Sequence, residues 1–334
     1  MSCPQCAEIS ADLERCPACG YEFVFRTADG VTDTEWLTFV RRASGDGQHF
    51  FTENQLYLAY ARGRVQVTRY VSQRGKLGLV MIVLGLAIWV YALTVDWGTT
   101  LVIGISITLG GVACVGTGVV TRRDPAEREP LRRWLAAWRA KKPLERFIAD
   151  AELGAATLSE YGVAQAKALI IVQRDVLVDL LLKNNAHREL SALVVAESGY
   201  PLALGAEARR VLAAGGALKV IALHDATSEG VSMQGRLSSS KVFALGEHTA
   251  LDAGLFPADV GQMEELAPAI PKPHFSRVPL DSMTYETMIA GLRGVLGGAL
   301  SLFMGMSDDA AGPDAHAPKA AESDAAALGD QSGL

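Results

Sequence analysis

The chain has 334 residues, 49% hydrophobic and 20% charged, with a formal net charge of −6. That balance excludes any whole-chain electrostatic argument for nucleic acid, and the length allows one substantial domain with accessories. Of five cysteines, four fall in the first twenty residues, a grouping that points to a metal site in a reducing compartment and against a disulfide scaffold.

Residues 1–22 contain Cys3-Pro4-Gln5-Cys6 and Cys16-Pro17-Ala18-Cys19-Gly20. Each CxxC lets two thiolates reach one ion from a tight turn, and four thiolates complete a closed tetrahedral shell with no open position for chemistry. The spacing predicts a short structural zinc ribbon ligated by Cys3, Cys6, Cys16 and Cys19. Gly20 frees the backbone to turn back toward the metal. Redox CxxC motifs are the competing reading, but they do not come as a close pair. A ribbon this short cannot bury a core, so the metal supplies its folding energy.

Residues 23–76 read as a small helical segment. Asp33 or Thr34 is expected to cap a helix bearing Trp36, Leu37, Phe39 and Val40, and Gly45 and Gly47 end it. Thr52 with Glu53 starts a second helix bearing Leu56, Tyr57 and Tyr60.

Residues 77–121 dominate the hydropathy. The runs 77–95 and 99–120 carry no charge, and about 20 apolar residues at 1.5 Å each cover a bilayer core of roughly 30 Å. The expectation is a two-helix transmembrane hairpin, the alternative being two buried helices of a large core. Arg69, Arg74 and Lys76 before it, with Arg122 and Arg123 after it, place both termini in the cytoplasm by the positive-inside rule. The implied location is the cell inner (plasma) membrane, as a multi-pass protein with the lipid bilayer as partner. No secretory signal pattern precedes residue 77, so the first run is expected to target the chain. Ser106, Gly110, Cys114 and Gly118 recur every four residues, a small-residue ridge for the neighbouring span or for a second copy in a homo-oligomer.

Residues 122–160 leave this region as a basic amphipathic segment. Between Arg122 and Arg146 there are nine Lys/Arg and four Asp/Glu. Leu131, Trp134, Leu135 and Trp138 share one side of a helix beginning near Pro130. Such a face suits either an anionic leaflet or the surface of the neighbouring domain.

Residues 161–306 alternate apolar strands with helices: 168–172, 191–195 and 218–223 are strands, with helical stretches between them. That order predicts a cytosolic α/β domain on a parallel sheet, with ligands at the carboxyl ends of the strands, where Gln173, Glu197 and Asp225 fall. Residues 283–306 read as a last helix that closes the core. Residues 307–334 hold six acids and one Lys among small residues, the composition of a disordered acidic tail.

Val172-Gln173-Arg174-Asp175, Ser198-Gly199-Tyr200-Pro201, Asp225-Ala226-Thr227-Ser228-Glu229-Gly230 and Leu255-Phe256-Pro257-Ala258-Asp259-Val260 together resemble a Toprim domain, in the form found in topoisomerase VI A subunits and Spo11-like proteins. The resemblance covers about 100 of the 334 residues. It implies acidic positions that hold Mg²⁺ for phosphoryl transfer on nucleic acid. This chain departs from the pattern with Gln173 at the first acidic position and Thr227 at the second Asp of the Asp-x-Asp pair. Asp225 alone stays in register, with Glu197 and Glu229 as the nearest substitutes, and Mg²⁺ demands several hard anionic oxygens. No tyrosine-bearing cleavage domain precedes it.

Other catalytic patterns are absent: Ser198 lies in Glu-Ser-Gly rather than a nucleophile elbow, and there is no phosphate-binding glycine loop. His224 beside Asp225 reads as a structural histidine. The resulting expectation is a multidomain membrane protein: a four-cysteine zinc ribbon, a transmembrane hairpin and a cytosolic degenerate Toprim-like domain acting as a non-enzymatic binding or scaffold module. Its partner is a protein held by the ribbon or the α/β domain, with nucleic acid as a further candidate. The alternative is a Mg²⁺-dependent nuclease or phosphotransferase acting through Asp225 with Glu197 or Glu229.

Overall fold

A computed structural model describes residues 2–9, 14–62, 66–71, 73–94, 102–103, 105–109, 112, 119–124, 126–215, 217–299 and 302. Helix α1 (Asp33–Ala43) is started by Thr32, whose Oγ1 accepts from the Glu35 N–H while Glu35 accepts from the Thr32 N–H. Sequence reading put that cap at Asp33 or Thr34, one or two residues late. Strand β1 (Phe51–Thr52) runs straight into helix α2 (Glu53–Ala61), capped by Thr52 as expected. Strand β2 (Gln66–Val71), helix α3 (Gln73–Thr94) and strand β3 (Val119–Asp124) follow. β2 and β3 are antiparallel, with Gln66 opposite Asp124 and Val71 opposite Val119.

The transmembrane hairpin is overturned. Among the described residues no helix is long and apolar enough to cross a membrane, and the membrane-spanning architecture and the inner-membrane location with two cytoplasmic termini fall with it. Of the second run, residues 99–101, 104, 110–111 and 113–118 lie outside the described residues. The arginines used to orient the hairpin occupy a sheet: Arg69 sits opposite Thr121, and Arg122 and Arg123 sit opposite Thr68 and Val67. Of the small-residue ridge, Ser106 is described and donates to the Val102 carbonyl at 2.9 Å; Gly110, Cys114 and Gly118 lie outside the described residues, as does the acidic tail at 307–334.

Helix α4 (Arg128–Lys141) settles the two readings offered for the amphipathic segment. Leu131, Trp134, Leu135 and Trp138 are buried in the core shared with the rest of the chain. Trp138 packs 5.9 Å from both Phe25 and Trp36. Strand β4 (Phe147–Ile148) then pairs in parallel with β1.

The remaining strands are β5 (Ala168–Val172), β6 (Ala192–Ala196), β7 (Lys219–Leu223) and β8 (Ala250–Asp252). They form one parallel sheet in the order β6-β5-β7-β8, which bears out the α/β expectation. β5 and β6 are buried at every position, as strands covered on both faces must be. Helix α5 (Asp175–Lys183) follows β5, and α6 (Leu202–Ala214) joins β6 to β7. Helix α7 (Tyr285–Gly297) buries Met288, Ile289, Leu292 and Val295, closing the core as predicted. The chain leaves β5 toward β6 on one side and returns to β7 on the other, so the carboxyl ends of β5 and β7 bracket a switch point where α/β sheets place ligands.

Candidate functional site

The four N-terminal cysteines converge. Their sulfurs all lie within 4.8 Å of one another, with Cys3 to Cys19 and Cys6 to Cys16 each at 3.6 Å. An ion about 2.3 Å from each of four tetrahedral sulfurs sets them about 3.8 Å apart, so the thiols stand close to the geometry of a bound metal. Two matching turns build the set. The Ala7 N–H donates to the Cys3 carbonyl and the Gly20 N–H to the Cys16 carbonyl, both at 2.9 Å, and both residues have positive φ, 63° and 75°. Burial tends to raise the Cys3 thiol, but N–H groups of Cys6 and Gln5 outweigh it and draw it down to about 7. The Glu8 N–H favours the Cys6 thiolate, yet burial and the thiols of Cys19, Cys16 and Cys3 push Cys6 up to about 12. An incoming ion therefore displaces protons.

Asp33 fastens this unit to the body. Its carboxylate, 1% exposed, accepts from the N–H groups of Val24 and Phe25 and from the Tyr21 hydroxyl at 2.8 Å. Lys142 lies 3.5 Å over the Tyr21 ring and 3.8 Å from Asp33. The hydroxyl of Thr34 donates to the Ser2 carbonyl.

At the switch point a guanidinium lies between two carboxylates. Arg174, just past β5, donates from Nε and Nη2 to Asp225 at 2.8 and 3.2 Å, and from Nη2 to the 1% exposed Asp281 as well. Asp225 also accepts from the Leu280 N–H at 2.7 Å. Burial lifts the Asp225 carboxyl above its usual range, more than Arg174 pulls it down. Burial also opposes charge on Arg174, but Asp281 and Asp225 outweigh it and keep the guanidinium protonated. Asp281 accepts in addition from Thr52 Oγ1 at 2.7 Å and Asn54 Nδ2 at 3.1 Å, tying the start of α2 to the sheet.

The residues that depart from the Toprim pattern each hold local structure. The Gln173 side-chain carbonyl accepts from the Asp225 N–H at 3.0 Å, and Thr227 caps a short helix by accepting from the Gly230 N–H at 2.9 Å. A Cβ on Gly230 would lie 2.1 Å from the Asp225 carbonyl, so only glycine fits beneath this turn. Glu197 is held by Arg236 through two 2.8 Å bonds. Glu229 contributes its backbone carbonyl to Arg236 Nη1 and to Ser232. Asp225, Glu197 and Glu229 thus make separate contacts, and among the described residues the one set of three or more ligand side chains placed to share an ion is the four cysteines.

His224 is structural, as read. Its Nε2 lies 2.8 Å from Asp252 and its Nδ1 2.8 Å from the Asp225 carbonyl. A Cβ on Gly254 would fall 2.2 Å from the imidazole ring. Burial opposes the charged imidazole, yet Asp252 and the Asp225 carbonyl prevail and raise its pKa. Sequence reasoning missed Arg174, Asp252, Asp281 and Arg236. Arg174 stood beside Gln173 in the quoted motif, where a cation directly after a strand was the available signal; the others are long-range partners.

Comparison of the chain with protein-family models, with curated proteins and with solved structures finds no match.

Proposed function

We propose that this chain is a zinc-bearing binding module and not a catalyst, and that its α/β unit resembles a Toprim domain whose acidic site has been turned into a structural lock. The observation that carries this reading is the Arg174 bridge between Asp225 and Asp281. A guanidinium supplies there the positive charge that a divalent cation would otherwise bring, and it comes from the chain itself. Gln173 and Thr227 fit the same reading, since each spends its side chain on a neighbouring backbone N–H.

Zinc is the ion assigned to the cysteines, because four soft thiolates in a closed tetrahedral set suit Zn²⁺ and leave no position for a substrate. Cys3, Cys6, Cys16 and Cys19 would hold it. Its role is to fold the two turns that Asp33 and Lys142 then dock against α1 and α4. The partner is a protein, engaged through the metal unit or the α/β domain.

Titration calorimetry of the full chain with Mg²⁺ and Mn²⁺, beside a nucleic-acid cleavage assay, tests the proposal. No divalent binding attributable to Asp225 and no cleavage are expected. Mg²⁺-dependent cleavage that disappears in Asp225→Asn would overturn it and install the nuclease alternative.

A further inference from the structure

Arg128 opens α4 and is held without a carboxylate. Its guanidinium lies 4.1 Å over the Tyr57 ring and donates to Asn54 Oδ1 at 2.8 Å. Tyr57 is itself fixed by donating its hydroxyl to the Ala126 carbonyl at 2.8 Å, and Asn54 by donating to Asp281. Arg62, Arg132, Arg174, Arg236 and Arg293 each face an Asp or Glu; among the described residues Arg128 faces none. A guanidinium has five N–H donors in a fixed fork, and the stacked, half-buried Arg128 uses one of them on Asn54.

Arg128 borders a cavity of about 200 Å³ shared with His274, Arg277 and Ser282, which no Asp or Glu lines, and on another side an opening that Glu53, Asp150 and Asp281 share. Arg277 has no carboxylate partner among the described residues either. Ser282 is 1% exposed and lines the same cavity. Water occupies about 30 Å³ per molecule in the liquid, so the space accommodates a tetrahedral oxyanion and part of what it is attached to.

We propose that this cavity binds the phosphoryl group of a small molecule, held by Arg128 and Arg277 with the Ser282 hydroxyl completing its shell. Paired guanidinium forks match the oxygens of a phosphoryl dianion, and a stacked arginine loses little freedom on binding. The site adjoins the Arg174 lock through Asn54, which bonds both Arg128 and Asp281, and it makes no demand on whether the chain catalyses anything.

The test is titration of the full chain with inorganic phosphate at constant ionic strength, chloride replacing phosphate in the control, followed by calorimetry. Saturable binding is expected that chloride does not reproduce, weakened tenfold or more in both Arg277→Gln and Arg128→Gln. Arg277 is exposed, so its variant keeps the fold intact, which far-ultraviolet circular dichroism would verify. Absence of saturable phosphate binding by the wild type, or equal binding by wild type and Arg277→Gln, overturns the proposal.

Discussion

Arg174 and Asp225 face one another across the carboxyl ends of β5 and β7, joined by two hydrogen bonds of 2.8 and 3.2 Å, with Asp225 8% exposed. Removing the guanidinium leaves Asp225 and Asp281 as buried carboxylates without their cation. Breaking a buried pair from one side costs about 3 kcal/mol, so Arg174→Ala is expected to lower the unfolding free energy by that order in a urea titration. Arg174→Lys should recover only part of it, because a point charge cannot serve both carboxylates at once.

The cysteine set predicts a metal-dependent N-terminal unit. Cys16→Ser should weaken Co²⁺ or Zn²⁺ binding by roughly 100-fold or more, since a closed four-sulfur shell tolerates no missing ligand. Loss of the tetrahedral Co²⁺ absorption bands is the readout. Proton release on binding, followed in a weakly buffered solution, should accompany it, as Cys6 holds its proton to about pH 12 without an ion.

Ala7 stands at φ 63° where the matching turn has Gly20 at 75°. An L-residue with a Cβ costs about 1 kcal/mol in that region. Ala7→Gly is therefore expected to tighten metal binding several-fold while Gly20→Ala loosens it, both measurable by chelator competition.

His224 gives the stability a pH dependence of defined sign. A base whose folded pKa is raised contributes stability fully present below its ordinary value near 6.5, lost as pH rises through the raised value. His187 acts in the opposite sense. It is fully buried, neither ring nitrogen has a partner among the described residues, and burial lowers its pKa. Its penalty appears as pH falls below 6.5 toward the lowered value. Urea midpoints measured across this range should lose their high-pH decline in Asp252→Asn and their low-pH decline in His187→Leu.

The strands of the α/β sheet were legible because a strand covered on both faces is an unbroken apolar run. Ala168–Val172 was read to the residue. The next strand was read one residue early because Ser191 is a turn residue at φ 49°, which composition does not reveal. β8, three residues long, left no pattern to find. Asp33 looked like a helix cap because caps are local, whereas its partners, Val24 and Phe25, lie upstream in the chain. The Arg174–Asp281 contact depends on α2, β5 and the loop before α7 meeting in space, which no spacing rule encodes. The apolar runs at 77–95 and 99–120 misled because hydropathy records composition alone, whereas among the described residues no helix is long and apolar enough to cross a membrane.

The register of β2 against β3 has a mechanical meaning. With Gln66 opposite Asp124, the chain leaves the body and returns at adjacent points, about 5 Å apart as paired strands are. Of the described residues between these two strands, none belongs to the buried core of the body, so the shared packing of α2 and α4 does not depend on them. At the returning end the Ala126 carbonyl accepts from the Tyr57 hydroxyl, and the Tyr57 ring lies under the guanidinium of Arg128. The two-stranded neck and the Arg128 cavity are therefore joined by two contacts through a single tyrosine.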